Sequence, residues 1–254
     1  MRPTLDIVIP VYNEGRNIVP VLLGLKNYMH TCARVMIVYD DDDDDTISAV
    51  VNGISVSSSA VNRNLPIELV KNTGIGPHAA VLTGFAKSTA PFVMMWPADD
   101  RINAPVIDMM VALAKKGNDI VAASRFMPGG EMIGRGWLKS LLRRVANSTL
   151  HHIAGLPTTD ATNGCRLFSR RVIEQVRVES THGFTYAIEL TVKAHRLGWK
   201  MCDVPYVQVE HANQRTRFRL RKWLPAYVRW YGYAFATRIN SYALPASHRR
   251  EHAR

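Results

Sequence analysis

Short apolar runs recur through the first half of this chain, and a stretch with helical spacing follows nearly every one. The runs at residues 5–10, 34–39, 66–71, 91–96 and 119–124 alternate with helical patterns near 17–30, 44–56, 78–87 and 105–116. Apolar runs this short, bounded by Pro, Asn, Gly and Asp, read as buried strands. A strand–helix repeat of roughly 25–30 residues permits few architectures. Consecutive strands lie parallel, each helix is a crossover, and both faces of the sheet are covered. The expectation is an α/β fold with a mostly parallel sheet flanked by helices.

The pattern changes after Ser124. Residues 126–131 read as a loop, and 137–153 as a helix with a basic face of Lys139, Arg143 and Arg144. Further strand and helix signals lie near 165–168, 186–197 and 201–209. Residues 218–242 then mix aromatics such as Trp223, Trp230 and Tyr231 with Arg219, Arg221, Lys222, Arg229 and Arg238. The expected organisation is a domain over 1–217, with halves 1–124 and 125–217, and an amphipathic helical tail over 218–254.

Charge separates along the same line. Residues 1–127 carry 11 Lys/Arg against 13 Asp/Glu, and residues 128–254 carry 21 against 8. The second half is therefore strongly basic, which points to an anionic partner such as phosphates or acidic lipid headgroups. Nucleic acid is the third option, but no recognition motif supports it. Cys32, Cys165 and Cys202 are odd in number and widely spaced, so reduced thiols are expected, not a disulfide frame or zinc site. No signal-peptide pattern opens the chain, and no apolar run reaches the length of a membrane span. The expected location is cytoplasmic, with peripheral attachment to the inner face of a membrane.

Parallel sheets bind ligands at the carboxyl ends of their strands, and four polar clusters fall there. Ile9-Pro10-Val11-Tyr12-Asn13-Glu14 closes the first run, and six aspartates, Asp40 to Asp45, close the second. Gly74-Ile75-Gly76-Pro77-His78 opens a helix whose free N–H groups suit an anion. Trp96-Pro97-Ala98-Asp99-Asp100 closes the fourth run. Each alone has a plain reading as a turn, a cap or a solvated acidic face. Their shared place at successive strand ends favours a ligand site.

These segments resemble the GT-A-fold glycosyltransferases of family 2, particularly those acting on polyprenyl phosphates such as the dolichyl-phosphate mannose synthases. Ile9 to Glu14 is similar to the opening IPxYNE, and Val38 to Thr46 to the VDDxSxDxT segment. Ser124-Arg125-Phe126 with Gly129-Gly130 and Trp137 resembles SRY…GG…W. Asp160 to Arg166 resembles DxTxGFR, and Gln214 to Phe218 resembles RxxGxSKF. The resemblance covers residues 5–230 and implies a Rossmann-like nucleotide-sugar-binding half over 1–124 and an acceptor-side half over 125–217. By its motifs Pro10, Tyr12 and Glu14 line the nucleotide pocket, Asp40 meets the base, and Asp44 is the later acid of that segment. Gly76 joins them as a donor-binding position. Asp99 matches the second acid of the metal-binding Asp-x-Asp, with Asp100 beside it, so Mg²⁺ or Mn²⁺ is the implied cofactor. Arg125 and Arg215 or Arg217 match basic positions that meet donor or acceptor phosphates. Lys139 and Arg143 sit where relatives carry basic residues on an acceptor loop and helix. The implied catalytic set is Asp99, Arg125, Asp160 and Arg215.

The chain departs from the pattern at Tyr39, which replaces an aspartate, at Pro97, which replaces the first acid of Asp-x-Asp, and at Arg101 near the metal position. The implied reaction is an inverting transfer of a hexose from a GDP- or UDP-linked donor to an anionic acceptor, a polyprenyl phosphate first. The alternatives are a soluble family 2 enzyme acting on a sugar hydroxyl and a catalytically degenerate nucleotide-sugar binder. A hydroxyl acceptor needs a general base, for which Asp160 and Glu189 are the candidates. A phosphate acceptor is already ionised near neutral pH and needs none. His78, His182 and His211 read as structural before catalytic.

Overall fold

The computed structural model describes residues 2–56, 65–134, 137–209 and 220–243. The five expected strands form as β1 (Leu5–Pro10), β2 (Ala33–Tyr39), β3 (Ile67–Lys71), β4 (Phe92–Met95) and β5 (Ile120–Ser124). Between them lie α1 (Gly15–Tyr28), α2 (Asp45–Val56), α3 (Gly76–Lys87) and α4 (Ala104–Lys115). The second half adds β6 (Glu131–Ile133), α5 (Trp137–His152), β7 (Arg166–Ser169), α6 (Arg170–Gln175) and α7 (Thr185–Arg196). It ends with β8 (Met201–Pro205), β9 (Val207–Val209) and α8 (Leu220–Ala243).

Seven strands make one sheet in the order β3-β2-β1-β4-β7-β5-β8, and β6 pairs with β9 beside it. β7 runs antiparallel to both of its neighbours, whereas the remaining pairs are parallel. Its reversed direction has a functional consequence. Arg166, its first residue, pairs with Met95 and Ala122 near the carboxyl ends of β4 and β5. The segment leading into β7 thus arrives at the ligand-binding end of the sheet.

The apolar runs are continuous because both sheet faces are covered. Along β1, Leu5, Ile7 and Ile9 pack with α1 and α4, while Val8 packs with α3 and α7 on the other face. The expected strand over 201–209 is instead two strands. Pro205 has no N–H to extend a ladder, and Tyr206 turns its buried side chain into the core between β8 and β9.

Within the expected tail, Trp230 and Ala234 of α8 are buried against α7 and α5, with Tyr227, Tyr231, Tyr233 and Phe235 packed at the margin. Lys193 Nζ lies 4.9 Å from the Trp230 ring centroid and Arg229 Cζ 5.0 Å from it, a cation–π clasp. These aromatics hold the helix to the domain. Of the apolar surface left open, Trp137, Leu141, Leu142 and Val145 lie on α5, and Leu224 and Val228 on α8. No helix among the described residues is long and apolar enough to cross a membrane.

Candidate active site

The β1 and β2 ends are locked together by the aspartate block. Asn13 adopts the left-handed conformation (φ 53°), which Asn tolerates better than most residues. Three successive amides then point across the cleft edge. Asn13 N–H donates to Asp44 Oδ2 (3.0 Å), Glu14 N–H to Thr46 Oγ1 (2.9 Å) and Gly15 N–H to Asp45 Oδ1 (2.9 Å). Asp44 Oδ1 accepts from the Thr46 amide at 2.8 Å, so this buried carboxylate braces the loop by both oxygens. Pro10 closes β1 beneath the loop, Tyr12 is half exposed above it, and Glu14 Oε2 accepts from Asn17 Nδ2 at 2.7 Å. Asp41, Asp42 and Asp43 are exposed. Asp42 pairs with Lys71, whose ammonium also lies 5.5 Å from the centroid of the Tyr39 ring.

Asp40 faces the third strand end. Its Oδ1 accepts from Asn72 Nδ2 (2.6 Å) and its Oδ2 from the Gly76 amide (2.8 Å). Gly76 has φ +85°, a conformation that strains any side-chain-bearing residue. The acid and the glycine loop expected at separate strand ends are thereby one structure. Ile75, between the glycines, is almost wholly exposed.

At the β4 end the two acids divide. Asp99 is half-buried at the cleft. Asp100, expected as a metal ligand beside it, is buried and turned inward. It accepts from the Ile102 and Asn103 amides, from Asn103 Nδ2 at both oxygens and from Tyr206 OH at 2.6 Å. That carboxylate organises the start of α4 and has no open coordination face, so the expectation of a metal role for Asp100 is corrected. Among the described residues no group of three or more His, Cys, Asp or Glu is arranged to hold a metal. Arg101 reaches away to Asn17 Oδ1 (2.7 Å), which links α1 to the β4 loop.

The β5 end carries Arg125, buried with Asp160. The guanidinium donates Nε to Asp160 Oδ2 (2.6 Å) and Nη2 to Oδ1 (2.9 Å), a bidentate fork. Nη2 also meets Thr162 Oγ1 (3.2 Å), and Nη1 meets Gln208 Oε1 (2.8 Å). Burial alone would raise the Asp160 carboxyl, but the Arg125 charge and its hydrogen bonds hold it below the usual carboxylate value. An ionised, doubly forked carboxylate is a poor proton acceptor, and both Asp160 oxygens are engaged by Arg125. Arg166 approaches only the backbone carbonyl of Asp160, with further bonds to Asn163 O and Thr191 Oγ1. Gly130 closes the arrangement, since a Cβ there would fall 2.4 Å from Ser124 O.

Glu189, the other candidate base, is buried on α7. It accepts from the Glu179 and Ser180 amides and from Lys193 Nζ (2.6, 2.8 and 2.7 Å), a structural assignment. His78 is buried, its Nδ1 3.2 Å from Gly183 O, and burial pushes its imidazole pKa down. Lys139 lies on α5. Arg215, Arg217 and His211 lie outside the described residues. Three further neighbours lie outside the sequence motifs. Asn72 stands one residue past β3, where the strand-end rule alone finds it. Asn147 and Gln208 gain importance only by meeting around Arg125, Gln208 directly and Asn147 through Thr162, which no local pattern announces.

The sequence profile for glycosyl transferase family 2 matches residues 6–177, well over half of the chain. Polyprenol monophosphomannose synthase of Mycolicibacterium smegmatis is 26% identical over 83% of this chain and 80% of its own length. Dolichol-phosphate mannosyltransferase of Pyrococcus furiosus is 23% identical over 80% of this chain but only 55% of its own length. Among solved structures, glucosyl-3-phosphoglycerate synthase from Mycobacterium tuberculosis in complex with Mn²⁺, UDP-glucose and phosphoglyceric acid superposes with a TM-score of 0.65. It is 15% identical and covers 91% of this chain and 80% of that one, so the likeness is one of fold. The strand-end constellation, the GT-A-like sheet and the family profile agree, and the chain belongs to glycosyl transferase family 2, as a glycosyltransferase.

Proposed function

We propose that this glycosyltransferase moves a hexose, with inversion, from a GDP- or UDP-linked donor to a polyprenyl phosphate at a membrane surface. The observation that carries the acceptor choice is the state of the two candidate bases. Asp160 and Glu189 are both consumed by internal ion pairs. An acceptor that arrives ionised, as a lipid phosphate does, needs no such base. Its oxygen forms the new bond to the anomeric carbon as the bond from that carbon to the nucleoside diphosphate breaks. The pyrophosphate leaves with the electron pair.

The chain's own residues position this exchange. Asp40, fixed by Asn72 and Gly76, offers its remaining lone pairs to a base edge. The Tyr12 and Glu14 loop, braced by Asp44, borders the nucleotide. Arg125, its charge offset by Asp160, fixes the Asp160 segment in place and keeps one Nη1 hydrogen for a phosphate oxygen. Arg215 and Arg217 are proposed as further phosphate partners on the basis of the motif. Mg²⁺ or Mn²⁺ fits this site through Asp99, because such ions commonly take one or two carboxylates and complete their shell with substrate phosphates and water. When bound, the ion would offset charge on the pyrophosphate.

Membrane attachment is supported by α5. Its exposed Trp137, Leu141, Leu142 and Val145 accompany Arg143 and Arg144 on the same helix. Asn147 on that helix donates to Thr162 Oγ1 (3.0 Å), the same hydroxyl that accepts from Arg125. Asn147 lies on the buried face of α5, opposite the exposed apolar residues, so the helix that carries the apolar surface is tied to the Arg125 cluster from its inner side.

The test is UDP and GDP release from a panel of nucleotide-sugars, with and without a polyprenyl phosphate, in Mg²⁺, Mn²⁺ or EDTA. Release that depends on the lipid phosphate is expected. Release stimulated instead by a neutral sugar would overturn the acceptor, and tight nucleotide binding without turnover would indicate a degenerate binder.

A further inference from the structure

The far end of the sheet holds a cavity of about 560 Å³ that the reaction does not use. It opens where β1 and β4 begin and β7 ends, lined by Arg2, Pro3, Thr4, Thr89, Pro91 and Arg170 among others. β1 spans six residues between this end and the donor-site loop, a separation of about 20 Å.

The cavity's charge is one-sided. Its lining contains two arginines and no carboxylate. Arg170 is anchored through Nε and Nη2 to the Ala90 carbonyl and through Nη2 to Ser88 Oγ, all neutral acceptors. Its one acidic neighbour, Glu174, is mostly exposed and 3.9 Å away, a distance at which an exposed pair contributes little. Asp6 lies behind the wall, fully buried, but its carboxylate is spent. Oδ1 accepts from Arg34 Nε, and Oδ2 accepts from Arg34 Nη2, Ser88 Oγ and the Thr89 and Ala90 amides. Other charged pairs here are direct, as Arg34 with Asp6, Arg125 with Asp160 and Arg171 with Asp119 show.

The walls are also rigid. The Phe92 amide donates to Thr4 O, the Arg170 amide to Pro91 O, and the Thr4 amide to Cys32 O. These bonds fix the β1 and β4 lead-ins relative to each other. The Thr4 and Thr89 hydroxyls have no hydrogen-bond partner among the described residues. The side-chain polar groups around the cavity are therefore guanidinium and hydroxyl donors held on a fixed frame.

We propose that this cavity is a second anion site, distinct from the donor site, that takes a phosphate-bearing small molecule. Arg2 brings a guanidinium fork and Arg170 its Nη1 edge, its Nε and Nη2 being spent on Ala90 O and Ser88 Oγ; two hydroxyls add donors, and the proline walls leave room for the organic part.

The experiment is hydrogen–deuterium exchange on the full chain with inorganic pyrophosphate as the probe, on wild type and Arg2→Ala. Arg2 is exposed, so its loss leaves the fold intact. Slowed exchange in peptides covering 2–7 and 88–95, reduced about tenfold in apparent affinity by Arg2→Ala, is the expected result. Arg170→Gln should abolish it. Protection confined to residues 10–15 and 40–46, or the same protection in Arg2→Ala and wild type, would overturn the proposal. Repeating the titration with anionic vesicles separates a free phosphate compound from a lipid headgroup, and protection by vesicles alone would overturn a small-molecule ligand. None of these readouts depends on which donor or acceptor the enzyme uses.

Discussion

Asp160 and Arg125 are each other's direct charge partner. Both are buried, and neither has a second group of opposite charge bonded to its charged atoms among the described residues. Removing one partner leaves an uncompensated charge inside the protein, which costs about 3–5 kcal/mol. Asp160→Asn is expected to lower the urea midpoint by that amount and to abolish lipid-dependent transfer, whereas a surface neutralisation such as Asp43→Asn leaves both unchanged. The same pair fixes the sign of a pH effect. Asp160, Asp6 and Asp108 all have pKa values lowered in the folded chain from an ordinary 3.8. The unfolded chain therefore binds more protons than the folded one as pH drops through that region. The stability these carboxylates contribute is complete above about pH 4–5 and is lost as pH falls through their folded values. Urea midpoints should ease downward below about pH 6.5, as the unfolded chain protonates His78 and His195, whose pKa values burial lowers in the folded chain, and fall steeply below 4, less steeply in Asp6→Asn. At this scale the sequence was informative about which residues gather and less so about what each does. Asp40 and Asp99 were legible because strand ends are readable from the apolar runs, and Arg125 because Ser124-Arg125-Phe126 resembles a family motif. The inward turn of Asp100 was not, because it depends on Tyr206, which lies 106 positions away.

Among the elements, α5 and α8 exchange the roles that composition suggests for them. α8 buries Trp230 and packs Tyr227, Tyr231, Tyr233 and Phe235 at the margin of the core, and α5 carries fewer aromatics yet exposes an apolar face. Aromatic content alone does not say which side a helix presents. That is settled by the partner helix α7, whose Ile188 and Val192 offer the surface that Trp230 covers. Trp230→Ala should therefore cost about 3–5 kcal/mol as a core truncation, read in the urea midpoint. Leu142→Glu, on the open face of α5, should change stability by no more than about 0.5 kcal/mol. The same substitution should strongly reduce co-sedimentation with anionic vesicles, and unchanged co-sedimentation would remove α5 from the membrane reading. The long periodic elements were readable from sequence to within a few residues. The short ones were not. β6 and α6 span three and six residues, too few to display a period, and β9 exists only because β6 is there to pair with it.

For the whole molecule, the separation of charge along the chain becomes a division of labour. The acidic first half builds the β1, β2 and β4 ends of the sheet, where carboxylates brace loops. The half after residue 127, with 21 basic against 8 acidic residues, supplies α5 and α8. If this half meets a membrane, attachment has two parts with different salt responses. Lys and Arg near an anionic surface contribute about 1 kcal/mol each and act within a Debye length, which shrinks from about 10 Å at 0.1 M salt to about 3 Å at 1 M. Apolar burial of Trp137 and its neighbours is not weakened by salt. Binding to anionic vesicles should therefore fall by an order of magnitude or more between 0.1 and 1 M NaCl in wild type, and approach zero at 1 M in Leu142→Glu. Transfer to a polyprenyl phosphate presented in neutral detergent micelles should show a much weaker salt dependence, because no anionic surface is then involved. Parallel loss of transfer in micelles and binding to vesicles would place the salt-sensitive contacts at the reacting phosphates themselves, with Arg125 the first residue to examine.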